Sequence, residues 1–273
     1  MKNFKDKVVV ITGAASGIGQ ALALKFAGAG ARLALADIEI EGLKTTLSMA
    51  REINPGLQSL ICRLNVAQAG DFAKFAETVS GRFGGADVLI NNAGVSHFGS
   101  FIQTGLEDIE WIFGVNYWGV VNGCRSFLPL LLQQKEAALV NISSAFGLIG
   151  MRTQSAYCAT KFAVRGMTES LRQELAGGPV SVICVHPGGI RTNIARNARL
   201  VGAGDGASDR KRDRYIAYFE RIARTSAADA ADHILNGIIK NRPRILIGRD
   251  AKIASLAQRL FPGSYEKILS RLL

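Results

Sequence analysis

The chain has 273 residues, 48% of them apolar and 20% charged, enough to bury one large globular core. Its net charge of +11 is uneven: residues 1–186 hold 16 basic and 14 acidic groups, residues 187–273 hold 17 and 8. No apolar run approaches the roughly 18 residues of a membrane span, no secretory signal precedes the first apolar run, and neither the four cysteines nor the three histidines are spaced for a metal or a redox pair. A reducing cytosol is the simplest compartment, and no metal is expected.

In chain order, short apolar runs alternate with longer helical stretches. Strands are expected at 8–12, 32–36, 58–64, 87–91, 138–143, 180–185 and 244–248. Helices are expected at 17–29, 39–53, 68–83, 105–134, 154–176 and 226–240. This alternation predicts an α/β fold: a doubly wound, seven-stranded, mostly parallel sheet with helices on both faces, its ligand crevice at the carboxyl ends of the strands. Residues 1–249 read as one domain, and 250–273 as an extension of two short amphipathic helices split at Pro262-Gly263.

The first chemical signal is the turn Thr12-Gly13-Ala14-Ala15-Ser16-Gly17-Ile18-Gly19 between strand and helix. Glycines there permit a tight turn and a close backbone approach to a pyrophosphate, and the following helix offers unpaired N–H groups. The spacing G-x-x-x-G-x-G differs from the common dinucleotide fingerprint and by itself allows a plain glycine-rich turn. The next strand ends at Asp37, twenty residues beyond Gly17, where a carboxylate would meet a ribose 2′-hydroxyl and repel a 2′-phosphate. With no basic residue at Ser16 or Ile38, NAD is preferred over NADP.

The second signal is Tyr157 and Lys161, four residues apart and so on one face of a helix. A phenol with a reference pKa of about 10 becomes a useful acid-base group when a fixed cation stabilises the phenolate. The motif alone is weak, since such pairs are common on exposed helix faces.

With these motifs in order from about residue 5 to residue 192, the chain resembles the short-chain dehydrogenase/reductase family, in its shorter form. Asn91-Asn92-Ala93-Gly94 is similar to the family's motif after the fourth strand, which steadies the sheet and lines the adenosine side of the cofactor. Ser144, thirteen residues before Tyr157, falls at the catalytic serine, with Ser143 behind it, and Asn116 at the helix asparagine that holds a water against the lysine. Pro187-Gly188-Gly189-Ile190-Arg191-Thr192 resembles the loop that fixes the nicotinamide carboxamide. One departure is Asn65-Val66 where the family has Asp-Val, which alters the adenine contacts.

The resemblance implies a Rossmann-type oxidoreductase that moves a hydride between NAD and a secondary alcohol or ketone. Tyr157 would transfer the proton, Lys161 lower its pKa and hold the ribose, Ser144 bond the reacting oxygen and Asn116 continue a relay. It also implies a homodimer or homotetramer, built on the helices carrying Trp111, Phe113, Trp118 and Phe127 and on the helix of Tyr157. A redox-responsive protein that binds NAD without turnover stays open as an alternative.

Residues 193–224 fall where a substrate lid would lie, with Ile194, Tyr215, Tyr218 and Phe219 among arginines and mobility expected at Gly202, Gly204 and Gly206. Such a lid suits a bulky, mostly apolar substrate. His97, just past Asn-Ala-Gly, stands where it could reach a substrate, but a loop histidine is more often solvated, and that is the expectation. The basic last third allows a solvated face, an anionic partner or a nucleic-acid surface; no recognised nucleic-acid motif supports the last. For the tail, packing on the protein is preferred to lipid contact.

Overall fold

The computed structural model describes residues 1, 3–201, 213, 215–217 and 219–272, the last three of these without side chains. The seven strands are β1 (Val8–Thr12), β2 (Arg32–Asp37), β3 (Ser59–Arg63), β4 (Val88–Asn91), β5 (Ala137–Ile142), β6 (Val180–Pro187) and β7 (Arg244–Ile247). All neighbours are parallel, in the order β7-β6-β5-β4-β1-β2-β3. Because chain order reverses between β1 and β4, the loops leaving these two strands diverge and open a crevice at their carboxyl ends.

Both sheet faces are covered, which is why the central strands are buried throughout and show no apolar–polar alternation. On one face α1 (Gly17–Gly28), α2 (Ile40–Ile53) and α7 (Ala227–Ile239) pack Leu22, Phe26, Leu43 and Ile234 against Val9 and Ile11. On the other, α3 (Ala69–Phe83), α5 (Gly119–Leu132) and α6 (Ser155–Glu174) pack Phe72, Phe75 and Phe127 against Val8 and Val10. Phe127 meets Phe72 and Phe75 edge to face, at 6.3 and 5.7 Å between ring centres. Truncating it to alanine would cost roughly 3–5 kcal/mol. Ser226 starts α7 with a capping box: its hydroxyl accepts from the Asp229 N–H, and the Asp229 carboxylate accepts from the Ser226 N–H.

The single helix expected over 105–134 is three pieces: α4 (Leu106–Phe113), a π turn (Gly114–Trp118) and α5. The apolar spacing runs through all three, so periodicity could not reveal the break. Phe127 lies in the core and so is not available to a subunit contact; the Trp111 ring, half-buried, stacks 3.7 Å from the Arg199 guanidinium, and Trp118 in the π turn is exposed.

The tail is two helices, α8 (Arg249–Leu260) and α9 (Tyr265–Leu272), with Pro262-Gly263 between them. It packs on its own subunit, where Ala254, Ala257 and Leu269 meet Leu148 and Ile149. Residues 215–217 and 219–222 are helical. Gly202, Gly204, Gly206 and Tyr218, singled out for lid mobility or surface, lie outside the described residues.

Candidate active site

The glycine turn follows β1 directly. Gly13 and Gly17 take φ of +66° and +56°, which L side chains resist. A Cβ on Gly13 would lie 2.8 Å from the Ala93 Cα, and one on Gly19 would collide with the Gly13 carbonyl oxygen. The turn is pinned from the neighbouring strand, since the Asn92 amide donates to the Thr12 and Gly13 carbonyls at 2.9 and 3.1 Å. Asn91 ties the sheet itself, donating to Asn141 Oδ1 at 2.9 Å. At the start of α1 the Ser16 hydroxyl makes no capping bond, so the first-turn N–H groups keep their capacity for an anion.

Asp37 sits across this turn. Its carboxylate accepts from Ala15 N–H at 2.9 Å and Glu39 N–H at 3.1 Å, which fixes its orientation at the end of β2. Arg63, its register partner on β3, donates from Nε to the Ile38 carbonyl, a neighbouring base that spacing along the chain did not disclose. The Asn65 amide oxygen accepts from Ala67 N–H at 3.1 Å, so its turn is held as an aspartate would hold it.

Tyr157 and Lys161 lie on α6, 8% and 4% exposed. The Lys161 ammonium donates to the Ile142 carbonyl at 3.1 Å and stands 5.7 Å from the centre of the Tyr157 ring. Burial brings the Lys161 pKa down to about 8. Burial also pushes the Tyr157 phenol above its usual value, while a hydrogen bond with Ser144 pulls the other way. The expected depression of the phenol by Lys161 is therefore outweighed in this arrangement by loss of solvent, which disfavours both charged forms.

Ser144 accepts from Phe146 N–H at 3.1 Å, and Ser143 donates to the Lys161 carbonyl at 2.8 Å from behind. Asn116 is fully buried in the π turn, where its amide accepts from Val95 N–H and donates to the Val95 carbonyl and Thr160 hydroxyl.

These groups converge on one cavity of about 1590 Å³. It is lined at the cradle end by Gly13, Ser16, Gly17, Ile18, Asp37, Asn65, Val66, Asn92, Ala93 and Gly94, and at the other by Ser144, Tyr157, Lys161, Pro187, Gly188, Ile190 and Thr192. Gly19 and Asn116 stand behind the wall. Residues 7–200 match the family model described as short chain dehydrogenase. The chain belongs to the short-chain dehydrogenase/reductase family.

It is an oxidoreductase, and over 99% of its length it is 42% identical to a putative oxidoreductase SadH of Mycobacterium tuberculosis, covering 96% of that protein. An uncharacterized oxidoreductase YxnA of Bacillus subtilis is 33% identical and 74% covered. Among solved structures, a short chain dehydrogenase/reductase from Burkholderia phymatum in complex with NAD aligns with a TM-score of 0.87 and 34% identity, over 97% of this chain and 96% of that one.

Four residues of this short-chain dehydrogenase/reductase complete the site without having been flagged as part of it. His186 is buried beneath the serine, its Nδ1 3.0 Å from the Ser144 carbonyl, and burial lowers its pKa to about 4. Asp250, on the first turn of α8, accepts from Gly189 N–H and braces the loop after β6. Gln154 donates to the Tyr215 hydroxyl at 3.2 Å, and the Tyr215 ring stacks on Phe98 with centres 4.4 Å apart. Only Tyr215 carried a signal, as an apolar lid residue; the others depend on contacts across long stretches of chain. His97 is 1% exposed and does not line the cavity, so it is not the solvated loop histidine expected, nor is it in reach of a substrate there.

Proposed function

We propose that this enzyme moves a hydride between NAD and a secondary alcohol or ketone that is bulky and largely apolar. NAD, when bound, supplies the hydride acceptor. The carrying observation is that Ser144, Tyr157 and Lys161 share one cavity with the glycine cradle and Asp37. A Cβ on Gly17 would sit 3.1 Å from the Thr192 side chain, so the cradle and the Pro-Gly loop touch there, and both line the one cavity that would hold an extended dinucleotide.

Tyr157 takes the proton of the substrate hydroxyl or returns it to the carbonyl. Ser144 donates to the oxygen on which charge develops. Lys161, already easily deprotonated, holds the cofactor ribose and shares the proton with Tyr157. A relay through Asn116 has to use its backbone, because its amide is committed to Val95 and Thr160.

Asp37 selects the cofactor, with its carboxylate presented to a ribose and oriented by two N–H groups. The far walls, Phe146, Ile149, Met151, Phe219 and Ile253, favour an apolar substrate. Trp118, Leu132 and Phe162, 54%, 45% and 41% exposed on the π turn, α5 and α6, support a homodimer or homotetramer. All four cysteines are unpaired, which supports a reducing compartment.

The test is NADH formation from a panel of secondary alcohols of increasing size. Turnover that improves with apolar bulk is expected. A rise in melting temperature with NAD but no turnover on any alcohol or ketone would replace this reading with a binding protein.

A further inference from the structure

Helix α8 is oriented against the usual rule. It docks on the protein through Ala251, Ala254 and Ala257, all buried, while Ile253, Leu256 and Leu260 are 38%, 58% and 59% exposed. At 100° per residue those three fall within about 60° of the helix circumference, a continuous stripe. Phe261, just past the helix, extends it and is 49% exposed. Burying alanines and showing leucines to water costs hydrophobic stabilisation unless something covers the stripe.

The charges beside the stripe say what that is. Exposed Lys252 and Arg259 run along one edge, and exposed Arg249 stands at its head. Residues 249–273 hold five basic and two acidic residues, and one of the acids, Asp250, is turned inward onto Gly189. We infer that α8 lies on an anionic lipid surface, with the stripe in the headgroup boundary and the basic residues against the phosphates.

A second copy fits worse. A two-fold contact would set each stripe's bases against the same bases of its partner, and like charges in an interface are repulsive. Another exposed apolar group, Phe101, Ile102 and Leu106, is followed by Glu107, Asp108 and Glu110 and lacks this complementarity. At 12 and 8 residues, α8 and α9 are too short to span a bilayer, and none of the described helices is long and apolar enough to cross one. They can only lie along it.

The placement has a functional sense. Arg249, Ile253 and Ala254 also line the main cavity, so the stripe borders its wall. If the substrate is apolar, a point that rests on the function proposed above, it can pass from the acyl boundary to Tyr157 without crossing water.

Vesicle co-sedimentation of the full chain tests the docking without using activity, so its failure leaves the hydride reading standing, and the reverse. Binding to vesicles of phosphatidylglycerol and phosphatidylcholine, weakening as salt shortens the screening length, and little binding to phosphatidylcholine alone are expected. Neutralising Lys252 or Arg259 to Gln should weaken partitioning roughly fivefold each. Leu256→Asp with Leu260→Asp should weaken it at least tenfold while circular dichroism and melting temperature hold, since both side chains point to solvent.

Four results overturn the inference: wild type staying in the supernatant, equal binding to both vesicle types, wild-type binding by the double Asp variant, or a double Asp variant that dissociates an oligomer when wild type shows no vesicle binding. The last would assign the stripe to a second copy.

Discussion

Asp250 opens α8 and at the same time accepts the Gly189 N–H, so the start of the tail holds the loop that carries Pro187 and Thr192. A Cβ on Gly188 would collide with the same carboxylate, which shows how closely the two segments are fitted. Tyr265, on the second tail helix, likewise holds a loop, its hydroxyl oxygen accepting the Gly150 N–H at 2.9 Å. Asp250→Ala should therefore raise the KM for NAD by roughly tenfold with a smaller change in kcat, since it loosens a positioning group. Asp250→Asn, which keeps an acceptor, should recover part of the loss. Steady-state kinetics on both variants check this, and equal kinetics for all three proteins would remove Asp250 from cofactor positioning.

The Tyr157 and Lys161 pair predicts a pH profile. Oxidation of an alcohol needs one proton to have left the pair, and the group that releases it most easily is Lys161, near 8, because burial raises Tyr157. The kcat/KM for oxidation should climb through about pH 8 and level off above it. Tyr157→Phe should lower kcat by roughly 10²–10⁴ and abolish the climb, while the Kd for NAD changes little. A variant that retains the wild-type profile would take the proton transfer away from Tyr157.

How much of this could be read from the residues depended on distance along the chain. The seven strands were visible because each is a short apolar run bounded by turn residues, and the doubly wound order follows once the runs alternate with helices. Gly13, Asp37, Tyr157 and Lys161 could be singled out because each stands at a fixed interval from a strand end or from another motif, and Ser144 because the family resemblance pointed to it. Asp250 to Gly189, Gln154 to Tyr215 and Arg63 beside Asp37 were not, because a tertiary pair leaves no periodic trace in either partner. The direction of the Tyr157 shift was misjudged for a related reason: the sequence shows a cation four residues away but not how dry the site is.

The proposed cofactor choice by Asp37, with Arg63 next to it in the sheet, can be tested. Asp37→Ala should relax discrimination against NADP by at least roughly tenfold, because a like-charge repulsion goes and the Arg63 guanidinium remains near the vacated place. Asp37→Ala with Arg63→Ala should lose much of that gain. The ratio of kcat/KM values for the two cofactors is the measurement, and a wild type that already prefers NADP would contradict the assignment.

His186 gives a prediction on stability. Its folded pKa of about 4 lies below its ordinary 6.5, so the unfolded chain binds the extra proton first as pH falls. The stability linked to its neutral form is complete above pH 6.5 and is lost as pH drops through 4. His186→Asn retains a donor for the Ser144 carbonyl and removes the titration, so its denaturant midpoint should fall less steeply than that of wild type over this interval. Parallel curves would mean that His186 takes up its proton at the same pH in the folded and unfolded states.

The π turn at Gly114–Trp118 acts as a phase shifter between two halves of one helical run. Ahead of it, Ile112 packs with Ala156 and Tyr157; beyond it, Phe127 packs with Phe72 and Phe75. Each residue of helix turns the following face by about 100°, so deleting any one of the five would give a smoother helix that can seat Ile112 or Phe127 but not both. The fit of the catalytic wall and the packing of the far core are in this sense geared together through five residues, with the Asn116 side chain at the axle.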